Sequence, residues 1–206
     1  ISRGLVGSEM CIRDSQKGKR NSMIDQLYFY LEIGYNHILD LSAYDHFLFL
    51  VSITIPFSFK YFKKVFWIVT LFTIGHSSSI ILSTFNIINP NMSIVEFLIP
   101  VTIIFSAISN LFFLKKEESL DIKTLFIALF FGIIHGFGFA NYFNQITFDD
   151  TFDTTALLGF SFGVELAQIL IVVSILFINS ILIFFIKEKY NSYIKLSSII
   201  VCILTT

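Results

Sequence analysis

The most constraining feature of this sequence is a series of apolar blocks, each about 20 residues long, separated by short polar loops. A block of that length is what an α-helix needs to cross the hydrocarbon core of a membrane. The blocks lack the period-two alternation typical of outer-membrane strands. The sequence therefore predicts an all-α fold, a polytopic bundle of transmembrane helices.

The composition supports this interpretation. The 206 residues are 55% hydrophobic and only 14% charged, whereas soluble domains are about 45–50% apolar and about 25% charged. A net charge of −1 offers no basic surface to nucleic acid, so that partner is excluded. Two cysteines are too few for a disulfide framework or a cysteine metal site. The expected partner is the lipid bilayer.

The first 22 residues differ in character from the rest. Residues 1–15 resemble a translated sequencing adaptor, and all three arginines, Arg3, Arg13 and Arg20, precede Met23. We predict that residues 1–22 are a non-native or disordered tail. Residues 23–206 are expected to form one membrane domain that starts at Met23 and whose last segment is truncated.

About six spans are predicted. Their expected limits are Tyr44–Phe59, Val65–Phe85, Ser93–Leu114, Ile122–Tyr142, Thr154–Ile186 and an incomplete segment from Tyr193. The preceding stretch Asp25–Asp40 is aromatic and amphipathic and carries three carboxylates. This pattern favours an N-terminal helix that lies in the interface or dips partway into the bundle.

The lysines predict the orientation. After Met23 they fall only in alternate loops: Lys60, Lys63 and Lys64; Lys115, Lys116 and Lys123; Lys187, Lys189 and Lys195. The other loops have no basic residue, and one carries Asp149, Asp150 and Asp153. Because positive charge marks the cytoplasmic side, we expect the lysine loops inside and the Asp25–Ala43 segment outside.

All four histidines lie in or beside apolar segments. Counting about 1.5 Å per residue brings them, with Asp45 and Glu165, to compatible depths in the outer half of the bundle. A single charge at such depth costs about 2.5–3.5 kcal/mol, so these groups are expected to face one another or a water-filled path.

Three interpretations of this set are open. Each group could be a hydrogen-bonded polar residue that joins helices, or the set could relay protons. Four imidazoles with two carboxylates favour a site for Ni, Zn, Co or Fe(II), and the lack of thiolates argues against Cu(I) and iron–sulfur centres.

Two local features bear on this site. Gly132 and Gly136 are four residues apart, which predicts close approach of another helix beside His135. Pro56 and Pro100 lie within predicted spans and are expected to kink them, which frees backbone carbonyls.

Five ordered blocks of the sequence resemble the HupE/UreJ family of membrane proteins, which are linked to nickel supply. The blocks are Gly34–Asp40 with Tyr44–Phe49, Phe72–Ser77, Val95–Pro100 with Asn110, Phe131–Ala140, and Gly159–Gln168. The spacing from His37 to Asp45 is longer than the nickel-permease branch commonly has. The resemblance is therefore to the second, less characterised branch.

This resemblance implies a multi-pass protein of the bacterial inner membrane that binds or passes a divalent metal, Ni²⁺ first and Zn²⁺ second. By position, His37, Asp45 and His46 would capture the metal at the outer side, and His76, His135 and Glu165 would line a deeper site. Other residues of the blocks are expected around the site or along the pathway: Asp40, Ser77, Glu96, Asn110 and Gln168. Hydrogenase or urease maturation proteins are the implied protein partners.

The leading hypothesis is therefore a divalent-metal permease or facilitator that supplies such metalloenzymes and is not itself an enzyme. One alternative is an intramembrane zinc-dependent hydrolase, in which three histidines and a carboxylate hold Zn²⁺ and activate a water. A His-Glu-x-x-His motif is missing from the sequence. The other alternative is a membrane assembly factor that needs no metal.

Overall fold

The computed structural model describes residues 23–40, 44–112, 122–146, 153–185 and 189–205. Within these ranges the chain forms α-helices and no strand, which confirms the all-α prediction. The helices are α1 (23–39), α2 (Asp45–Thr54), α3 (Phe62–Thr84), α4 (Met92–Phe112), α5 (Ile122–Ile146), α6 (Thr154–Phe185) and α7 (Tyr190–Thr205), with a 3-10 turn at Phe59–Tyr61 before α3.

Four helices, α3 to α6, are long and apolar enough to cross a membrane. Their limits agree with the predicted spans to within about one helical turn. Helices α2 and α7 are apolar but shorter. Many large apolar side chains remain exposed on the bundle, among them Phe97 on α4 and Phe184 on α6, as expected for a surface that faces lipid rather than water. The chain is thus a multi-pass membrane protein.

Helices α3 and α5 run parallel and touch along their backbones. A Cβ atom at Gly132 would collide with the backbone of Phe72, and one at Gly136 with the backbone of His76. The close approach predicted beside His135 is therefore confirmed, and α3 is the helix that uses it. This contact fixes His76 and His135 at neighbouring levels of the bundle.

Helix α6 runs antiparallel to α3 and parallel to α1. Ser77 and Thr70 of α3 bond to Ser161 and Glu165 of α6, respectively. Gly159 lies against the backbone of Leu27, and four residues later Gly163 lies against the backbone of Leu31. The N-terminal helix therefore packs lengthwise on α6 as part of the bundle, so of the two predicted positions it takes the one within the bundle.

Helix α2 follows α1 in the same direction but is displaced sideways. The rings of His37 on α1 and His46 on α2 are 4.7 Å apart between centroids, whereas nine residues of one continuous helix would separate them by about 13.5 Å. The predicted first span, Tyr44–Phe59, is thus a helix of only 10 residues. Helices α1 and α2 together line α6 as one interrupted crossing.

Polar side chains hold the far end of α2. Pro56 cannot continue the helical hydrogen bonding, and the Asn179 amide of α6 donates to the carbonyls of Thr54, Ile55 and Phe57 at 3.0–3.3 Å. The Tyr193 hydroxyl donates to Asn179 Oδ1 at 3.0 Å. The carbonyls of Thr54, Ile55 and Phe57 are therefore used by the protein itself.

The described lysines lie at one end of the bundle. Lys63 and Lys64 begin α3 and Lys123 begins the parallel helix α5. At the opposite end Asp153 caps α6, because its Oδ1 accepts hydrogen bonds from the amides of Thr155 and Ala156 at 2.8 and 3.1 Å. The tail 1–22, Lys115, Lys116, Lys187, Asp149 and Asp150 lie outside the described residues.

Candidate metal centre

Three imidazoles from three helices meet inside the bundle. His37 lies near the end of α1, His46 is the second residue of α2, and His76 lies on α3. One nitrogen of each ring lies within 4.8 Å of a nitrogen of the other two. The interruption between α1 and α2 makes this possible, since it brings two histidines of one crossing to the same level.

Five of the six nitrogens of these rings have no hydrogen-bond partner among the described residues. Both nitrogens of His46, both nitrogens of His76 and Nε2 of His37 are buried without a hydrogen bond to any described residue. A buried polar atom left unpaired costs about 1–3 kcal/mol. If these histidines only joined helices, they would be expected to bond to each other or to the backbone. The cluster instead presents unshared lone pairs, as a cation requires.

His135 stands beside this group with one nitrogen already engaged. Its Nε2 lies 3.1 Å from the Thr102 hydroxyl of α4, and that hydroxyl donates its single hydrogen to the carbonyl of Ile99 at 2.7 Å. Thr102 must therefore accept from His135, so Nε2 carries the ring proton. The free lone pair is then on Nδ1, which has no partner among the described atoms.

Phenylalanines form the walls of the site. The Phe139 ring lies 4.0 Å from that of His37, and the Phe160 ring lies 5.9 Å from that of His76. Phe72 and Phe49 pack against His135 at 5.1 and 5.4 Å. These rings surround the cluster with apolar surface, so the imidazoles are the groups here that could bind a cation.

The two predicted carboxylates lie outside the group of three. Asp45 opens α2 beside His46 and is half-buried. Glu165 of α6 accepts hydrogen bonds from the hydroxyls of Thr70 and Thr73 on α3, at 2.6 and 2.5 Å. His37, His46 and His76 therefore form one group, and His135 lies next to it. Glu165 is instead hydrogen-bonded to Thr70 and Thr73.

The residues predicted around the site are spread over several places. Ser77 shares a 2.7 Å hydrogen bond with Ser161 between α3 and α6. Asn110 donates to the carbonyl of Ser52 at 2.6 Å, which joins α4 to α2. Gln168 Oε1 lies 2.8 Å from the Thr73 hydroxyl. Asp40 and Glu96 are exposed.

The spacing of the histidines describes an open site. Nitrogens on one tetrahedral Zn²⁺ are about 3.4 Å apart when each Zn–N bond is about 2.1 Å, so ligand atoms up to 4.8 Å apart must draw together around an ion. Resident metals usually have ligands whose other nitrogen is anchored by a carboxylate or carbonyl. His46 and His76 have no such anchor in the described chain.

Sequence reasoning missed several residues of this region. Phe160, Thr70 and Thr102 were not singled out. Thr73 and Phe139 stand inside the blocks quoted for the family resemblance. Their place inside these blocks was the only indication of a role. Threonine and phenylalanine are too common in membrane helices to indicate a site by themselves.

Comparison with known proteins supports the family suggested by the motifs. Residues 13–206 match a family model described as HupE / UreJ protein, the second of that name. No curated protein and no solved structure matches the chain. The match covers nearly the whole sequence, including every helix described above, and the chain belongs to the HupE/UreJ family.

Proposed function

We propose that this protein is a divalent-metal permease or facilitator of the bacterial inner membrane, with Ni²⁺ as its first substrate and Zn²⁺ as its second. His37, His46 and His76 would bind the metal in transit, and His135 would offer Nδ1 as a further ligand. Asp45 would attract the cation at the start of α2. The lysine end of the bundle would face the cytoplasm, and the metal would supply hydrogenase- or urease-type enzymes.

One observation carries this proposal: six imidazole nitrogens, including Nδ1 of His135, are buried without hydrogen bonds in the described part of the chain. Neutral imidazole nitrogens are good ligands for Ni²⁺ and Zn²⁺. Binding a cation would satisfy the lone pairs that the protein leaves free. No other cluster of polar groups in the described residues leaves so many donors or acceptors unpaired.

The interrupted crossing supports a transport role. Membrane transporters commonly place their substrate where a helix is broken near mid-membrane. Here His37 and His46 stand on the two sides of such a break. Ligands on separate short helices can move apart without unwinding a continuous helix, so a cation held there can be released.

The same features disfavour the zinc hydrolase. A catalytic zinc site needs three ligands held in fixed positions and an oriented base for the water. The imidazoles of the cluster lack anchoring partners, and the Glu165 carboxylate is bonded to two threonines. We therefore propose an exchangeable substrate ion rather than a resident catalytic one.

Transport can be tested in proteoliposomes loaded with a metal-sensitive dye. We expect Ni²⁺ entry with the wild-type chain and its loss in His46→Leu and in His76→Leu. Ser78→Ala, two residues from His76 on α3, is the control. It should transport normally, because among the described residues the Ser78 hydroxyl donates to the Ile74 carbonyl of its own helix.

Elemental analysis of the purified protein separates the alternatives. Tightly held stoichiometric zinc would favour the hydrolase. Wild-type uptake equal to that of protein-free vesicles, with no metal binding at any concentration, would favour the assembly factor. Uptake that both histidine variants leave unchanged would overturn the proposed permease site.

A further inference from the structure

Two pairs of stacked phenylalanine rings lie against the histidine cluster. The Phe139 pair consists of Phe139 on α5 and Phe160 on α6, whose ring centroids are 4.7 Å apart with an interplanar angle of 10°. The Phe72 pair consists of Phe72 on α3 and Phe49 on α2, whose centroids are also 4.7 Å apart, at an angle of 28°. Each pair therefore joins two different helices of the bundle.

The direction of the helices places the two pairs at different levels. Phe139 follows His135 by four residues on α5, and Phe72 precedes His76 by four residues on α3. Both helices run away from the lysine end, and four residues correspond to about 6 Å of helix rise. The Phe72 pair therefore lies on the lysine side of the histidines. The Phe139 pair lies on the opposite side, towards the end where Asp153 caps α6.

Both pairs contact histidine rings directly. The centroid of the Phe139 ring is 4.0 Å from that of His37, and the centroid of the Phe72 ring is 5.1 Å from that of His135. Aromatic rings are in contact at centroid distances up to about 7 Å. One layer of phenyl rings therefore lies directly against the histidines on each side.

The two layers differ in burial. Phe49 and Phe72 are each 1% exposed, whereas Phe139 is only half-buried. His37, which the Phe139 ring covers, is also half-buried, while the other two members of the three-histidine group are buried. The histidines are thus closer to the surface at the Phe139 pair than at the Phe72 pair.

A polar face of α1 leads to the same place. Glu32 and Asn36 are exposed and four residues apart, so they lie on one face of α1, and the exposed Asp40 directly follows the helix. Because α1 packs lengthwise on α6 within the bundle, a carboxylate on its open face is expected to meet water rather than lipid. This face passes beside His37. Its carboxylates would attract a cation towards the Phe139 ring.

We propose that the Phe139 pair is the entrance gate of the cation site and that the Phe72 pair is the barrier on its lysine side. A divalent cation moves along the polar face of α1, displaces the Phe139 ring from His37 and binds the histidines while Phe72 and Phe49 stay stacked. Apolar constrictions are a common form of gate in membrane pathways. This proposal rests on the function proposed above, because the cation is the one that the histidines bind.

Labelling of introduced cysteines in sealed vesicles tests this entrance. Phe139→Cys, Phe72→Cys and Phe162→Cys are each made in a chain whose two cysteines are replaced by serine. A cationic, membrane-impermeant methanethiosulfonate is then added outside the vesicles. Asn89→Cys, in the exposed loop between α3 and α4, and Lys63→Cys, at the start of α3, show in parallel samples which end of the bundle faces the reagent.

Phe139→Cys should react in vesicles that expose the Asn89 end and be protected by Ni²⁺. It should react at least about tenfold faster than Phe72→Cys, whose thiol lies behind the histidines. Phe162→Cys is the matched control on α6: Phe162 is 60% exposed on the surface that faces lipid, where a thiol stays un-ionised and unreactive. Circular dichroism verifies folding, and Phe49→Cys replaces Phe72→Cys if the latter does not fold.

Three results would overturn the proposal: labelling of Phe139→Cys from the Lys63 end, labelling no faster than that of Phe162→Cys, or equally fast labelling of Phe72→Cys from the Asn89 end. Failure of the permease would look different. The expected labelling and Ni²⁺ protection in a chain that takes up no Ni²⁺ would keep the entrance and remove the permease. Ni²⁺ uptake that depends on the histidines, with Phe139→Cys unreactive, would keep the permease and remove the gate.

Discussion

The two ends of the short helix α2 carry buried polar clusters of opposite kinds. At its far end Asn179 and Tyr190 donate to the backbone carbonyls around Pro56, and Tyr193 donates to Asn179 Oδ1, in hydrogen bonds of 3.0–3.3 Å. At its start the nitrogens of His46 have no partner in the described chain, and neither do those of His76. Both clusters are surrounded by apolar side chains.

This difference is the one expected between polar groups that hold helices together and polar groups that bind a ligand. Buried polar groups that hold helices together are bonded to one another, because an unpaired group costs about 1–3 kcal/mol. A cluster that keeps its lone pairs free gives up that stabilisation, and a ligand can restore it. The Asn179 cluster is of the first kind and the histidine cluster is of the second.

The largest expected effect is on metal binding by the histidine cluster. His46→Leu combined with His76→Leu should lower Ni²⁺ affinity by more than about 100-fold, since changes even to residues that only orient metal ligands cost 10–100-fold. Unfolding free energy should stay equal or rise, because unpaired nitrogens are replaced by apolar atoms. Calorimetric titration and denaturation measure the two quantities. A stability loss as large as that of Asn179→Leu would remove the contrast between the clusters.

Asn179→Leu should show the reverse pattern. Three backbone carbonyls and the Tyr193 hydroxyl each lose a hydrogen bond, so the unfolding free energy should fall by roughly 3 kcal/mol. The Ile55 carbonyl keeps the bond from Tyr190, and the Thr54 carbonyl keeps the bond from the Phe57 amide. Ni²⁺ affinity of the folded protein should not change, because the histidines are at the other end of α2. Stability at the wild-type level, or a tenfold loss of affinity, would contradict this assignment.

A smaller effect is expected where α3 and α5 touch. Gly132→Ala places a Cβ against the backbone of Phe72, so the helices must separate, at a cost of about 1–3 kcal/mol. Ni²⁺ affinity should fall as well, since His76 and His135 lie on these two helices. Gly138→Ala is the matched control, because its Cβ would first meet the flexible end of the Ile99 side chain. Equal effects of the two variants would refute the packing argument.

The smallest effect is expected at Thr102. Thr102→Val removes the acceptor that fixes the His135 ring proton on Nε2, which should lower Ni²⁺ affinity by about tenfold. Thr102→Ser keeps the hydroxyl and should restore wild-type affinity. Failure of serine to restore it would show that the methyl group, rather than the hydrogen bond, matters at this position.

The sequence predicted the helices that are long and apolar from end to end. Hydropathy locates α3 to α6, and the glycine spacing correctly predicted a close helix contact beside His135. These features depend on local composition and on helical periodicity, which are present in the sequence itself.

The sequence predicted a separate helix before α2, but not that the two helices share one crossing, because the decisive contact is non-local. Residues 25–59 read as an amphipathic segment followed by one span, and nothing in that pattern indicates that α1 lies along α6. The packing of Gly34 against the backbone of Phe160 holds the end of α1 against α6, where His37 reaches the other histidines.

The most direct test of a cation site at the interrupted crossing is X-ray absorption spectroscopy of the Ni²⁺-loaded protein at the nickel edge. The account predicts imidazole nitrogens among the ligands, with one imidazole fewer in His46→Leu than in wild type. An all-oxygen shell, or an imidazole count that His46→Leu leaves unchanged, would contradict it.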